Sequence, residues 1–381
     1  MSMLNEARRG DLVDKRDRSF MGRVKETLPW KGDPMNEVLR KLVFIVAVCV
    51  LVYSLVDAYQ YKFGTSDLHE DKDTLSDLYD TPSINNTPTV TPDNQGDSPS
   101  DDAQQPTDNN QIEVNGTIYD KTDSIYPEGM LSKFESLYTI NSDIIGWLTI
   151  DGLADEEGVN YIHYPVLQST DNSYYLDHDF FKQEKNYGAL FADYRGKITA
   201  TKNPDNTIIY GHNMGAGTFF SHLHDYKKRA SFVKEHNVIT YSTLWEENEY
   251  VIVGCFLTGV KDEQDNIPIF KYHNVIYFND IAEFDYWYKN ILYRNYYITN
   301  IDCTMEDEYL TLSTCSTEIY DSRFVVVARK LREGEDPSKY TYISNPNARK
   351  PAAFYEAYGM EVPVDNGPDY EYYVPEEENA N

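Results

Sequence analysis

Thr311-Leu312-Ser313-Thr314-Cys315 ends one strand-like run, and eight positions past the cysteine Arg323 opens another, Phe324-Val325-Val326-Val327-Ala328-Arg329. Two β-rich runs joined by so short a loop predict a return of the chain that sets Arg323 opposite the sulfur. About a hundred residues upstream, Thr207-Ile208-Ile209-Tyr210 leads into Gly211-His212-Asn213, an imidazole at the mouth of another strand. Thiol, imidazole and guanidinium together suit acyl transfer. A free thiol with a pKa of about 8.5 is only a few per cent thiolate at neutral pH. An adjacent imidazole protonates an amine leaving group and later deprotonates the incoming nucleophile. An arginine, charged at any accessible pH, holds a developing oxyanion without entering proton transfer. Taken singly, a cysteine at a strand end is usually core and an arginine at a strand start is usually a solvated charge.

Working outward, short runs rich in β-branched and aromatic residues recur between Ser124 and Ser344. Ile144 to Ile150, Asn160 to Val166, Thr207 to Tyr210, Val238 to Tyr241, Tyr250 to Gly254, Tyr309 to Ser313 and Arg323 to Ala328 are strand candidates. Seven or eight strands in about 220 residues predict a barrel or sandwich. Two helices interrupt them. One covers Leu131 to Ile140. The other starts at the capping-box pair Asp280 and Glu283 and runs to about Tyr293, with Ile281, Phe284, Tyr288 and Ile291 on one face.

Leu42 to Val56 is an uninterrupted stretch of 15 mostly apolar residues. Extended to Val38–Tyr59 as a helix it reaches about 33 Å, enough to cross the roughly 30 Å hydrocarbon core. A leader of 41 residues ahead of the apolar run is too long for an ordinary signal peptide, so a single membrane anchor is expected. Residues 1 to 41 hold ten Lys/Arg against seven Asp/Glu, which places the N-terminus in the cytoplasm and the rest outside. The remaining 340 residues carry about −32 of the overall −29, which argues against a nucleic-acid binder. The expected organisation is a cytoplasmic leader (1–37), a transmembrane helix (38–61), a disordered extracellular tether (62–123), a catalytic domain (124–345) and an acidic tail (346–381). The tether reading rests on a polar composition in which Leu68, Leu75, Leu78 and Tyr79 look scattered. In the tail, Pro351 to Tyr358 is expected to be helical.

Cys49, Cys255, Cys303 and Cys315 follow no metal-ligand spacing, and no metal or other cofactor is expected. Cys255 and Cys303 are taken as small buried hydrophobes. His222 and His224, two residues apart in a helix-like stretch, point apart and are taken as surface or packing residues.

Five blocks in order, Tyr164-Pro165-Val166-Leu167-Gln168, Asp171-Asn172-x-Tyr174-Tyr175-Leu176, Asn206 to Met214, Leu312 to Cys315 and Arg323 to Ala328, resemble sortases, and in this combination class B sortases. The resemblance spans about Leu131 to Lys330. It implies an eight-stranded sortase-type β-barrel with an N-terminal helix and a long helix before the strand that leads to the cysteine. It implies Cys315 as nucleophile, His212 as general acid/base and Arg323 as oxyanion and substrate-positioning residue, with Tyr210, Ser313, Asn172 and Leu176 in the substrate groove. The implied partners are a surface protein bearing a C-terminal sorting signal and an amine acceptor, in a peptidoglycan precursor or in a pilin. Two other readings stand beside it: a cysteine protease that releases the acyl group to water, and a non-catalytic sortase-like scaffold. The Asp-Pro-aromatic lid and second anchor of pilus-building members are not read in this chain.

Overall fold

The period-two runs pair as strands because each has one face to bury and a neighbour to complete its backbone hydrogen bonds. The protein is described by a computed structural model covering residues 27–29, 31–81, 110–215, 217–364 and 367–368. Its strands are β1 (Gln111–Val114), β2 (Thr117–Asp120), β3 (Ile144–Thr149), β4 (His163–Leu167), β5 (Leu190–Ala192), β6 (Asn206–Tyr210), β7 (Val238–Thr243), β8 (Glu247–Gly259), β9 (Tyr297–Thr299), β10 (Tyr309–Ser316), β11 (Ser322–Lys330) and β12 (Tyr342–Ser344). Eight of them close a barrel, in the order β10-β11-β8-β7-β3-β4-β5-β6; the eight-stranded barrel is the one the resemblance implies, and the strand pattern alone left a sandwich open. The parallel pairing of β10 with β6 completes the ring. β1 with β2, and β9 with β12, form separate two-stranded sheets.

Strand β10 shows how the barrel positions the site. Leu312 lies between Val326 of β11 and Ile209 of β6, all three fully buried. Side chains alternate, so Tyr309, Thr311, Ser313 and Cys315 share the opposite face. A helix covers the first part of that face. Helix Ile281–Arg294 starts where expected, with Asp280 accepting from the Glu283 backbone N–H at 2.9 Å. The Glu283 carboxylate accepts from the backbone N–H of Asn279, one residue before the cap, at 2.8 Å. The helix buries Phe284, Trp287 and Ile291, and Trp287 meets Tyr309 with ring centroids 4.9 Å apart. Ile281, expected on this face, is exposed, whereas Glu283 and Phe284 in the same turn are buried. The Cys315 end of β10 is left open.

Two expected boundaries move. The chain divides into one unit up to Ser66 and another from Asp67 onward. In the first, helix Met35–Asp80 begins with a stretch, Met35–Leu55, long and apolar enough to cross a membrane. The same helix continues to Asp80 through residues expected to be tether. Leu68, Lys72, Leu75 and Tyr79 fall at helical spacing, and in the second unit they meet the barrel. Leu68 and Leu75 are buried, Lys72 Nζ donates to Asn160 O at 2.6 Å, and Tyr79 stacks on Trp147 at 4.2 Å. Ile112 and Val114 in the β1–β2 hairpin are buried as well. The rest of the expected tether, 82–109, lies outside the described residues.

At the other end the folded part runs past 345. Arg349 is 3% exposed and reaches Asp265 at 2.8 Å, and helix Ala352–Ala357 follows. The tail beyond 368 lies outside the described residues. Cys255 is buried and Cys303 half-buried, and both are free thiols.

Candidate active site

Antiparallel register sets Cys315 of β10 directly opposite Arg323 of β11. Directly opposed residues have Cβ atoms about 5 Å apart on the same face, so the seven-residue return between them places both side chains on one face. Gln264 holds that return. Its amide donates to Tyr320 O at 2.6 Å and to Asp321 O at 3.2 Å, while its carbonyl accepts from the N–H groups of Val260 and Lys261, both at 2.7 Å. Arg323 Nη1 donates to Ser322 O at 3.1 Å and faces the Asp321 carboxylate at 3.4 Å.

Parallel pairing of Ser313 with Tyr210 carries β6 alongside, and the chain leaves β6 through Gly211 to His212. Glycine is needed here for space rather than for a special backbone angle: a Cβ would collide with Leu190 and lie 2.7 Å from Phe220 Cδ2. The turn closes with Phe220 N–H donating to His212 O at 3.0 Å. His212 Nε2 lies 2.8 Å from Leu176 O, which ties the imidazole to the short helical turn Tyr174–Leu176.

Cys315, His212, Arg323, Tyr210, Ser313, Asn172 and Leu176 all line one cleft of about 400 Å³. Phe191, Val260, Ile269, Phe270 and Tyr272 give it apolar walls. Cys315 is exposed within it. Every candidate named from the sequence is therefore brought to one place.

Beneath the cleft lies a residue that sequence reasoning missed. Asp193, 2% exposed, accepts from Asn172 Nδ2 at 3.0 Å, from Tyr210 OH at 3.0 Å and from Arg195 Nη2 at 2.7 Å through Oδ2, and from Arg195 Nε at 2.9 Å through Oδ1. Burial pushes its carboxyl up, but the Arg195 hydrogen bonds and charge outweigh that and hold it below the ordinary aspartate value. Tyr272 is a second omission. Its hydroxyl lies 2.6 Å from Ser313 Oγ, and burial pushes its pKa up to about 12. The third is His224, whose Nε2 is 3.0 Å from Cys315 O. The Asp193-x-Arg195 spacing hints at an ion pair; Tyr272 and His224 leave no local signal, because their partners lie 41 and 91 residues away.

The chain that builds this barrel and cleft has relatives among known proteins. The Sortase domain family matches residues 157–331. Sortase B of Listeria monocytogenes is 30% identical over 227 residues, covering 57% of this chain and 85% of that protein. Sortase B of Staphylococcus aureus is 29% identical over 211 residues, covering 55% and 79%. A solved Staphylococcus aureus sortase B-substrate complex aligns at 28% identity over 54% of this chain and 88% of that one, with a TM-score of 0.46. The chain belongs to the sortase family of cysteine transpeptidases. Within that family its relatives are class B, so it is a class B-like sortase.

Proposed function

We propose that this protein cleaves a C-terminal sorting signal through a thioester on Cys315 and passes the acyl group to an amine of cell-wall peptide or of a pilin. The observation that carries the assignment is the cross-strand pairing of Cys315 with Arg323 at the rim of the cleft that His212 shares. The Cys315 thiolate attacks the scissile carbonyl, and the tetrahedral oxyanion is held by the Arg323 guanidinium. To reach it, Arg323 turns from Ser322 O and the Asp321 carboxylate, whose 3.4 Å contact is long for a hydrogen bond. His212 gives a proton to the leaving amine, and the thioester forms as the carbon–nitrogen bond breaks. An incoming amine then gives its proton to His212 as it attacks the thioester, and Cys315 leaves as thiolate.

The peptide lies along the cleft, its apolar groups against Leu176 and Phe191 and its polar groups toward Asn172, Tyr210 and Ser313. The helix from Met35 anchors the protein in the membrane, with the basic leader in the cytoplasm and the barrel outside. Mass spectrometry of the protein incubated with a panel of sorting-signal peptides and amine acceptors tests the assignment. A Cys315-linked acyl adduct that amines convert to a new amide is expected. Hydrolysed product with no amide under any acceptor would establish the protease reading instead, and unchanged cleavage by Cys315→Ala would end both.

A further inference from the structure

The carbonyl of Cys315 lies where the barrel's ladder stops. Ser313 O accepts from Gly211 N–H at 3.2 Å on the β6 side. Carbonyls along a strand alternate, so Cys315 O, two residues on, points the same way, but β6 has already ended at Tyr210. Among the described residues, no loop backbone N–H donates to it. Two side chains take that place: His224 Nε2 at 3.0 Å and Asn213 Nδ2 at 3.1 Å.

The protonation state of His224 follows from its other side. Lys227 Nζ lies 3.1 Å from His224 Nδ1. An ammonium has only donors, so Nδ1 must accept, and a neutral imidazole then carries its proton on Nε2, aimed at Cys315 O. Asn213 Nδ2, also 3.1 Å from Nε2, gives its hydrogen bond to the carbonyl rather than to a protonated nitrogen. Lys227 in turn pairs with Glu318 in the return after Cys315. The short helix carrying His224, Phe220–Lys227, is seated by fully buried Phe220, Leu223 and Tyr226, and the His224 ring lies on Phe324 at 5.0 Å. The charged groups facing His224 are Lys227 and Asp225 from its own helix and Glu318 from the return. Burial first and Lys227 second lower its pKa, against the raising effects of Cys315 O, Glu318 and Asp225.

We infer that His224 is a positioning residue for the transpeptidase reaction: neutral and protonated at Nε2, it clamps the Cys315 carbonyl with Asn213 and so sets the direction of the thiol. Asn213 is the neighbour of His212, so the clamp also fixes the spacing between the His212 turn and the end of β10. His224 is not among the residues that line the cleft, so it acts through Cys315. The inference rests on Cys315 being the nucleophile.

The test compares His224→Ala, His224→Gln and His224→Asn in the full chain. Glutamine keeps a donor long enough to reach the carbonyl, whereas asparagine is one methylene short. Two readouts are taken: kcat and KM for a sorting-signal peptide, and the rate of Cys315 alkylation by iodoacetamide across pH. The alanine and asparagine variants are expected to lose tenfold or more in kcat, with KM within twofold, and to alkylate Cys315 with an altered pH profile. Glutamine is expected to recover most of both. Equal losses in glutamine and asparagine, or kcat and alkylation within twofold of wild type in asparagine and alanine, would overturn the positioning role. Should alanine fail to fold, the glutamine–asparagine contrast still decides. If the unaltered protein acylates with no peptide, the transpeptidase assignment fails while the alkylation readout still decides whether His224 aims the thiol.

Discussion

At the scale of single residues, the site divides into groups that face the cleft and groups that hold them. Arg323 belongs to the first. Arg323→Lys keeps the charge but replaces a planar fork of five donors with a point charge, so it is expected to lower kcat/KM by about a hundredfold, and Arg323→Ala by about a thousandfold. Single-turnover acylation by the peptide measures both; full activity in the lysine variant would show that charge alone suffices. Asp193 belongs to the second group, because Asn172 and Tyr210 both end on its Oδ2. Asp193→Asn removes the charge opposite Arg195 and is expected to cost about 1–3 kcal/mol of stability and to raise KM more than it lowers kcat. Urea unfolding and peptide kinetics read the two effects. The folded-state value of Asp193 lies below its unfolded one, so its stabilising contribution is complete above the ordinary value of about 3.9 and is lost as pH falls through the depressed one. The asparagine variant should therefore show less loss of stability on acidification than the unaltered protein.

Among the elements, the helix from Asp67 to Asp80 changes where the folded unit begins. Leu75 joins Phe134, Leu137, Ile144 and Trp147 in one buried cluster, and Tyr79 adds its ring to Trp147 and its hydroxyl to Ser242 Oγ at 3.0 Å. Leu75→Ala is expected to cost about 2–4 kcal/mol. A protein starting at Ser124 should melt well below one starting at Asp67, because it exposes Trp147 and leaves Ser242 without the Tyr79 hydroxyl. Equal melting temperatures would show that this helix segment adds nothing to the barrel. The segment carries a signal too weak to read alone: positions 68, 72, 75 and 79 have helical spacing, but three apolar residues and a lysine amid acids and hydroxyls resemble a linker until a surface exists to receive them. The helix from Ile281, by contrast, announces its start through Asp280 and Glu283. Its buried face excludes Ile281, since periodicity gives a direction but not the width of the stripe that is covered.

For the whole molecule, the basic leader and acidic remainder predict orientation. Protease added outside intact cells is expected to remove the barrel and spare a fragment containing residues 1 to 41; protection of the barrel would reverse the topology. Charge, the apolar run from Leu42, the strand pattern, and the chain order of His212, Cys315 and Arg323 were all determined by the sequence itself, because each is a property of short stretches or of their order. The candidate cleft residues were legible too, as motif neighbours. What only the tertiary structure decided is who meets whom. Closing the barrel through β10 and β6 brings together residues about a hundred apart in the chain, while shorter-range contacts, 17 to 41 residues apart, make the Asp193 hub under Asn172 and Tyr210 and set Tyr272 against Ser313; His224 reaches the carbonyl of Cys315 across 91 residues. Such contacts leave no trace in local pattern, since a histidine that ends a strand's ladder and one that covers a surface have the same neighbours in sequence.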